Sequence, residues 1–251
     1  MTDDTTTDEI PEGDHVHRHD HMVHRHRDVA GGAVRAAVFG ISDGIVSNVA
    51  LILGIAAASP ERSAVLVAGV AGLLAGATSM AAGEYVSMKA QSELVERELQ
   101  IERRSLAKQP VAERRELAAI YRQRGVDAEL ADELAEAVMV DPEVALEVHA
   151  REELGVDPSE TGRPVAAAAS SFVAFAVGAL VPLLPWFVAE GGGATVTSAT
   201  LGAIAAITVG AVLARFTERS MIRTIARQLG WATAACTATW FIGTWLGGVV
   251  A

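Results

Sequence analysis

Five apolar runs divide the chain, at about 34–58, 64–88, 165–188, 195–214 and 229–250. Each approaches the ~20 residues with which an α-helix crosses ~30 Å of hydrocarbon. None alternates with a period of two, so they predict helices and no strands. The polar link Ser59-Pro60-Glu61-Arg62-Ser63 is too short for anything but an antiparallel hairpin between the first two runs. Between the second and third lies a charged stretch whose spacing is also helical. The second crossing continues through Glu93, Glu96, Glu98 and Glu102 to about Leu106. Pro110 suits the first turn of the next helix, which carries Leu117 and Ile120. Asp127 suits the N-cap of a third, with Leu130, Leu134 and Val138 on one face. Asp141-Pro142 opens a fourth that reaches Glu153 and stops at Gly155, and Gly162-Arg163-Pro164 returns the chain to the membrane.

The pattern describes an all-α membrane protein with five transmembrane helices and a cytoplasmic helical insert between helices 2 and 3. Residues 1–30 form a disordered His-rich tail, 31–90 hold helices 1 and 2, 91–163 the insert, and 164–251 helices 3 to 5. Lys and Arg in the short loops set the orientation. Arg18, Arg25, Arg27 and Arg35 flank the first crossing, and Arg215, Arg219, Arg223 and Arg227 lie in the link between the fourth and fifth. The 59–63 link has one such residue and the 189–194 link none, so tail and insert face the cytoplasm and the C-terminus lies outside. Trp186, Trp231 and Trp245 sit near run ends, where interfacial anchors belong. Small-xxx-small pairs at Gly40/Gly44, Gly72/Gly76 and Gly243/Gly247 let helix backbones approach closely, within the chain or between two copies.

Composition narrows the function. A net charge of -11 argues against nucleic-acid binding, which needs a basic face. The single cysteine, Cys236, rules out an intramolecular disulfide and a thiolate metal cluster. The first 28 residues have no apolar core and are not a secretory signal. With neither a phosphate-cradling loop nor a nucleophile–base set, no enzyme and no prosthetic group is expected.

Two acids lie within the apolar runs, Asp43 and Glu84. An ionisable group there costs ~2.5–3.5 kcal/mol even on the lenient insertion scale, so it calls for a partner or a function. Ser47 and Asn48 lie close to Asp43 in sequence, while Met80, Glu84 and Met88 share a face of the second crossing. Carboxylate oxygen beside thioether sulfur tilts a site towards transition metals, although Asp43 could instead hydrogen-bond backbone and Glu84 lie at the interface. In the insert, Glu98/Glu102, Glu113/Glu116 and His149/Glu153 repeat at one-turn spacing, which fits metal ligands or a solvated acidic face. Six of the seven histidines fall in the tail, at positions 15, 17, 19, 21, 24 and 26, a tract suited to loose capture of divalent metal.

Several strings resemble the vacuolar iron transporter family. They are Ser42-Asp43-Gly44, the run from Ala77 to Ser87 with Gly83-Glu84-Tyr85-Val86-Ser87 typical of the yeast-type and nodulin-like branch, Glu152-Glu153-Leu154-Gly155, and Val181-Pro182-Leu183-Leu184-Pro185. The resemblance covers about residues 29–250. It implies a five-crossing protomer acting as a homodimer with the pathway between protomers, and proton-coupled export of Fe²⁺, often Mn²⁺ too, from the cytoplasm. By position, Asp43 and Met80 match the membrane metal site, and Glu102, Glu113, Glu116 and Glu153 match metal-binding glutamates of the insert. The chain departs from the plant members at Gly72, Gly32 and Ala36, where they carry acids. It also has Ser105 for a further insert glutamate and His149 where Met is common. Glu84 would then supply the lost membrane charge. Ala- and Arg-rich usage suggests a bacterial plasma membrane. Two other readings of the same residues are a membrane-anchored di-iron oxidase built on the insert, which would need Glu-x-x-His twice, and a metal sensor that transports nothing.

Overall fold

The computed structural model describes residues 32–59, 61–158 and 162–250. The His-rich tail lies outside them. Among the described residues eight helices follow one another: α1 Gly32–Ala58, α2 Arg62–Lys108, α3 Pro110–Gln123, α4 Ala128–Val138, α5 Pro142–Glu152, α6 Pro164–Leu183, α7 Gly191–Phe216 and α8 Met221–Val250. A 3₁₀ turn, Leu184–Phe187, extends α6. Among the described residues there is no strand.

Among the described residues, four helices, α1, α2, α6 with its 3₁₀ turn, and α7, are long and apolar enough to cross a membrane. Helix α8 is 30 residues long, but Thr, Gly and Trp dilute its apolar stretch. It begins eight residues earlier than its apolar run, so Arg223 and Arg227 lie on helix and only 217–220 remain as the link. Glu218 turns the chain there with φ of 53°. Helix α2 is the long element: 47 residues at 1.5 Å each make about 70 Å, more than twice the hydrocarbon thickness. Its C-terminal half therefore has to project beyond any bilayer that its N-terminal half spans.

Helix α1 is central, packed on α6 most extensively and also on α8, α2 and α7. Glycine makes this possible, because α-helices in lipid gain stability from close backbone approach more than from large side chains. A Cβ on Gly40 would lie 2.8 Å from the Ser171 carbonyl oxygen, and Cβ atoms on Gly44 and Gly178 would collide with the backbone of Phe175 and Ile41. Gly243 and Gly247 likewise abut the backbone of Gly54 and Ala58. Two of the three small-residue pairs thus bring helix backbones together within the chain, and the third, Gly72/Gly76, meets the side chains of Leu51 and Phe175.

Trp186 is the clearest departure from the sequence pattern. It is fully buried in a cluster with Ile52, Val65 and Leu183, and is no interfacial anchor. The 3₁₀ turn folds it inward, and Arg62 fastens that turn by donating Nε–H to the Trp186 carbonyl (2.9 Å) and a second N–H to that of Phe187. Trp231 and Trp245 are exposed, as anchors would be.

In the insert, α3, α4 and α5 pack together, with α5 and α3 against the projecting end of α2. Asp127 caps α4 by accepting from the Glu129 N–H (3.0 Å), and Asp141 caps α5 by accepting from Glu143 (2.9 Å) and Val144 (3.3 Å). Gly155, with φ of 65°, ends the turn after α5. The expected inward face of α4 is rotated. Leu130 and Leu134 are exposed, while Ala131 is buried and Ala135, with Val138 beside it, packs against Leu117 and Ala118. Alanines let α4 sit close to α3, and the leucines one position away are left outside.

Candidate metal sites

The insert gathers one compact donor cluster. Glu102 from α2, Glu113 from α3, and His149 and Glu153 from the end of α5 each offer an atom, all within 4.8 Å of one another. His149 is fully buried and Glu102 is 6% exposed, a placement that imidazoles and carboxylates rarely adopt unpartnered. Nδ1 of His149 lies 3.2 Å from Glu102 Oε1, 3.7 Å from Glu153 Oε2 and 4.0 Å from Glu113 Oε2. Yet neither ring nitrogen of His149, nor Glu102 Oε1, has a hydrogen-bond partner. Lone-pair donors converge here without satisfying one another, and the arrangement suits a cation between them. Burial first, then the carboxylates of Glu153, Glu113 and Glu116, pushes Glu102 up to about 7. Burial and Glu116 also raise Glu113, against a smaller lowering by His149. Glu116 itself is exposed, so it acts on the cluster by charge from the rim and does not join the four donors.

The second candidate lies between α1 and α2. A cleft of about 470 Å³ is lined by Asp43, Ser47 and Asn48 of α1, by Gly72, Gly76, Ser79 and Met80 of α2, and by Phe175 of α6. Asp43 and Met80 therefore face one space, the geometry a shared carboxylate–thioether site requires. Gly72, Gly76 and Met80 repeat every fourth residue and form one wall, with the two glycines supplying its width. Phe175 closes the back: a Cβ on Gly76 would run into its ring. Asp43 is exposed along the open side of this cleft, whereas Asn48 is buried.

Glu84 stands apart. It pairs with Arg35 of α1 at 2.6 Å, one helical turn from Met80 towards the projecting end of α2, and does not line the cleft. Met88 also points elsewhere, against the positions of Gly32 and Gly162. The shared face of Met80, Glu84 and Met88 is thus divided between a cleft wall, an ion pair and a packing contact. Sequence spacing gave no sign of Phe175 or of the partner of Glu84, because both come from other helices.

Known sequences are similar to this chain. The model of the VIT family matches residues 34–244. A vacuolar iron transporter of Acanthamoeba castellanii is 41% identical over 162 residues, which is 64% of this chain and 58% of that protein. Vacuolar iron transporter 1 of Oryza sativa subsp. japonica is 32% identical over 202 residues, 80% of each chain. Vacuolar iron transporter homolog 4 of the same plant is 63% identical, but over 59 residues, 23% of this chain.

Proposed function

The chain belongs to the VIT family, and on that premise we propose that it carries divalent transition-metal ions, Fe²⁺ and Mn²⁺, out of the cytoplasm in exchange for protons. The observation that carries this reading is the cleft in which Asp43 and Met80 face the same space. Carboxylate plus thioether is a donor pair for borderline cations, and a cleft between two membrane-length helices is where a transported ion has to pass. The relatives named as vacuolar iron transporters support iron as one cargo.

The insert cluster is the entry station. Three carboxylates with one imidazole suit Fe²⁺ and Mn²⁺ better than a thiolate-selecting ion. Glu116 at its rim, and the histidine tail, would raise the local cation concentration. From Glu102 to Met80 is 22 residues of continuous α2, about 33 Å along the helix, so the insert hands its ion to the membrane cleft over a rigid spacer. There the ion meets Asp43, and a proton arriving from the far side neutralises that carboxylate and releases the ion. The Arg35–Glu84 pair lies between the two stations, where its charges can shape the cytoplasmic mouth.

Five crossings fit the alternation of loops, with α8 as the fifth, the insert in the cytoplasm and the C-terminus outside. A bacterial plasma membrane is the setting that the composition favours. The exposure of Asp43 supports a homodimer, because an open carboxylate at that depth faces lipid unless a second copy covers it. One four-donor cluster holds a single ion, which fits a carrier better than a two-iron oxidase. Fe²⁺ and Mn²⁺ flux into proteoliposomes, with and without an imposed pH gradient, tests the proposal. Asp43→Ala is expected to lower flux at least tenfold, and full flux in that variant would overturn the reading.

A further inference from the structure

We propose that Asn48 forms a second cation station in the membrane cleft, about one and a half helical turns beyond Asp43. The inference rests on the transport reading above and adds a site that this reading does not use. Asn48 is 2% exposed and lies among helices, where an amide normally satisfies both its ends. Only one end is satisfied. Nδ2–H donates to the Ala179 carbonyl oxygen of α6 at 2.6 Å. That bond also fixes the orientation of the amide, because a flipped side chain would set two acceptors against each other. Oδ1 is left with no partner.

The side chain lines the cleft, and its oxygen is aimed at Gly72 across from it: a Cβ there would sit 3.4 Å from Oδ1. An unpartnered acceptor in an apolar setting costs the full desolvation of that group, and a cation relieves it more strongly than a neutral donor. Five residues of α1 separate Asn48 from Asp43, a rise of about 7.5 Å. With that rise between them, and with the Asn48 amide tied to Ala179, Asn48 marks a stop separate from Asp43. The difference in charge gives the two stops different tasks. The carboxylate of Asp43 holds a divalent ion strongly, whereas a neutral amide oxygen holds a part-hydrated ion weakly enough to let it go. Conduction requires such a graded pair of sites.

The experiment measures initial Mn²⁺ uptake against concentration in proteoliposomes carrying the full chain, for the wild type, Asp43→Ala, Asn48→Leu and Asn48→Asp. Both Asn48 variants lose the donor to Ala179, but only the aspartate keeps, and charges, the oxygen. A station predicts opposite behaviour: Asn48→Leu lowers maximal uptake about tenfold with half-saturation changed less than threefold, while Asn48→Asp lowers the half-saturation concentration at least threefold. A mere fastening of α1 to α6 predicts that the two variants match each other, and that result overturns the proposal. Should Asn48→Leu not fold, as judged by gel filtration, the half-saturation of Asn48→Asp decides alone. Should the wild type move no ion, the transport reading falls by itself. Equilibrium Mn²⁺ binding in a Glu102→Gln background then decides the station: adding Asn48→Asp is expected to tighten binding at least threefold, and unchanged binding overturns it.

Discussion

Everything around Glu102 pushes its carboxyl the same way, towards the neutral form. Burial and three neighbouring carboxylates push its ionisation up to about 7, so in the ion-free protein it is held partly protonated at neutral pH. A carboxyl whose folded pKa is raised contributes its stability fully below the unfolded value of 4.5, and that contribution is lost as pH climbs towards 7. At about 1.36 kcal/mol per unit, the loss amounts to about 3 kcal/mol. Glu102→Gln keeps the shape of the protonated acid without titrating. With chelator present, it is expected to match the wild type at pH 4 and to exceed it at pH 8, by up to that amount, in thermal or denaturant unfolding of the insert. Adding Mn²⁺ at pH 8 should reverse the order, since the wild-type carboxylate ligates more strongly than the neutral amide oxygen, and about one proton should be released per ion bound near pH 6.5. A wild type that stays the more stable at pH 8 without metal would contradict the assignment. The sequence made part of this cluster legible. His149 and Glu153, one turn apart, both reach it, but of the equally promising Glu113 and Glu116 only Glu113 does. Spacing places two residues on the same side of a helix. Depth depends on which part of that side meets α2 and α5, and one sequence does not contain that information.

Helix–helix contact sets the next scale, and glycine placement dominates it. Gly178 of α6 and Gly44 of α1 each leave no room for a Cβ against the other helix's backbone, and backbone cannot give way as a flexible side chain can. Gly178→Val is therefore expected to cost at least the upper end of the usual range for overpacking, about 1–3 kcal/mol. Gly230→Ala in α8, where nothing lies within 4 Å, should be neutral or stabilising by up to about 1 kcal/mol through helix propensity. Melting temperatures of the two variants in detergent would check the contrast, and similar values would refute it. Helix identity and ends were largely readable, because run lengths, Asp127, Asp141, Pro110, Pro142 and Pro164 each impose a local rule that tertiary contact did not override. The facing of α4 was not readable. Leu130 and Leu134 suggest an inward stripe, yet Ala131 and Ala135 pack because α3 approaches too closely for leucine. Trp186 follows the same logic: proximity to a run end suggests an anchor, but the Arg62 clamp on the 3₁₀ turn directs it to the core.

At the scale of the whole molecule, the described surface leaves a problem that a single copy does not solve. Asp43 and Ser47 of α1 are exposed at the open side of the cleft, and α2 also exposes apolar side chains such as Val67, Leu74 and Val86. Apolar side chains can face lipid without cost. A carboxylate at that depth cannot, by ~2.5–3.5 kcal/mol or more, and a half-open cleft gives an ion nowhere to shed its water. A second copy whose cleft faces the first removes both costs at once: it buries Asp43 and brings a second carboxylate and a second thioether to the same ion. Exposed Leu130, Leu134 and Val144 on the insert are consistent with contact there too. The single Cys236 makes the arrangement simple to probe. In a Cys236→Ala background, Ser47→Cys should cross-link into a covalent dimer with a short thiol reagent in native membranes, and the proposed ion, which would sit between the two positions, should alter the yield. Val212→Cys, on α7 and 61% exposed, serves as the control and should give no more dimer than random collision. Equal yields from the two positions, or none from Ser47→Cys at any reagent length, would mean that the clefts do not meet. Each protomer would then have to hold its ion with Asp43, Met80 and water alone.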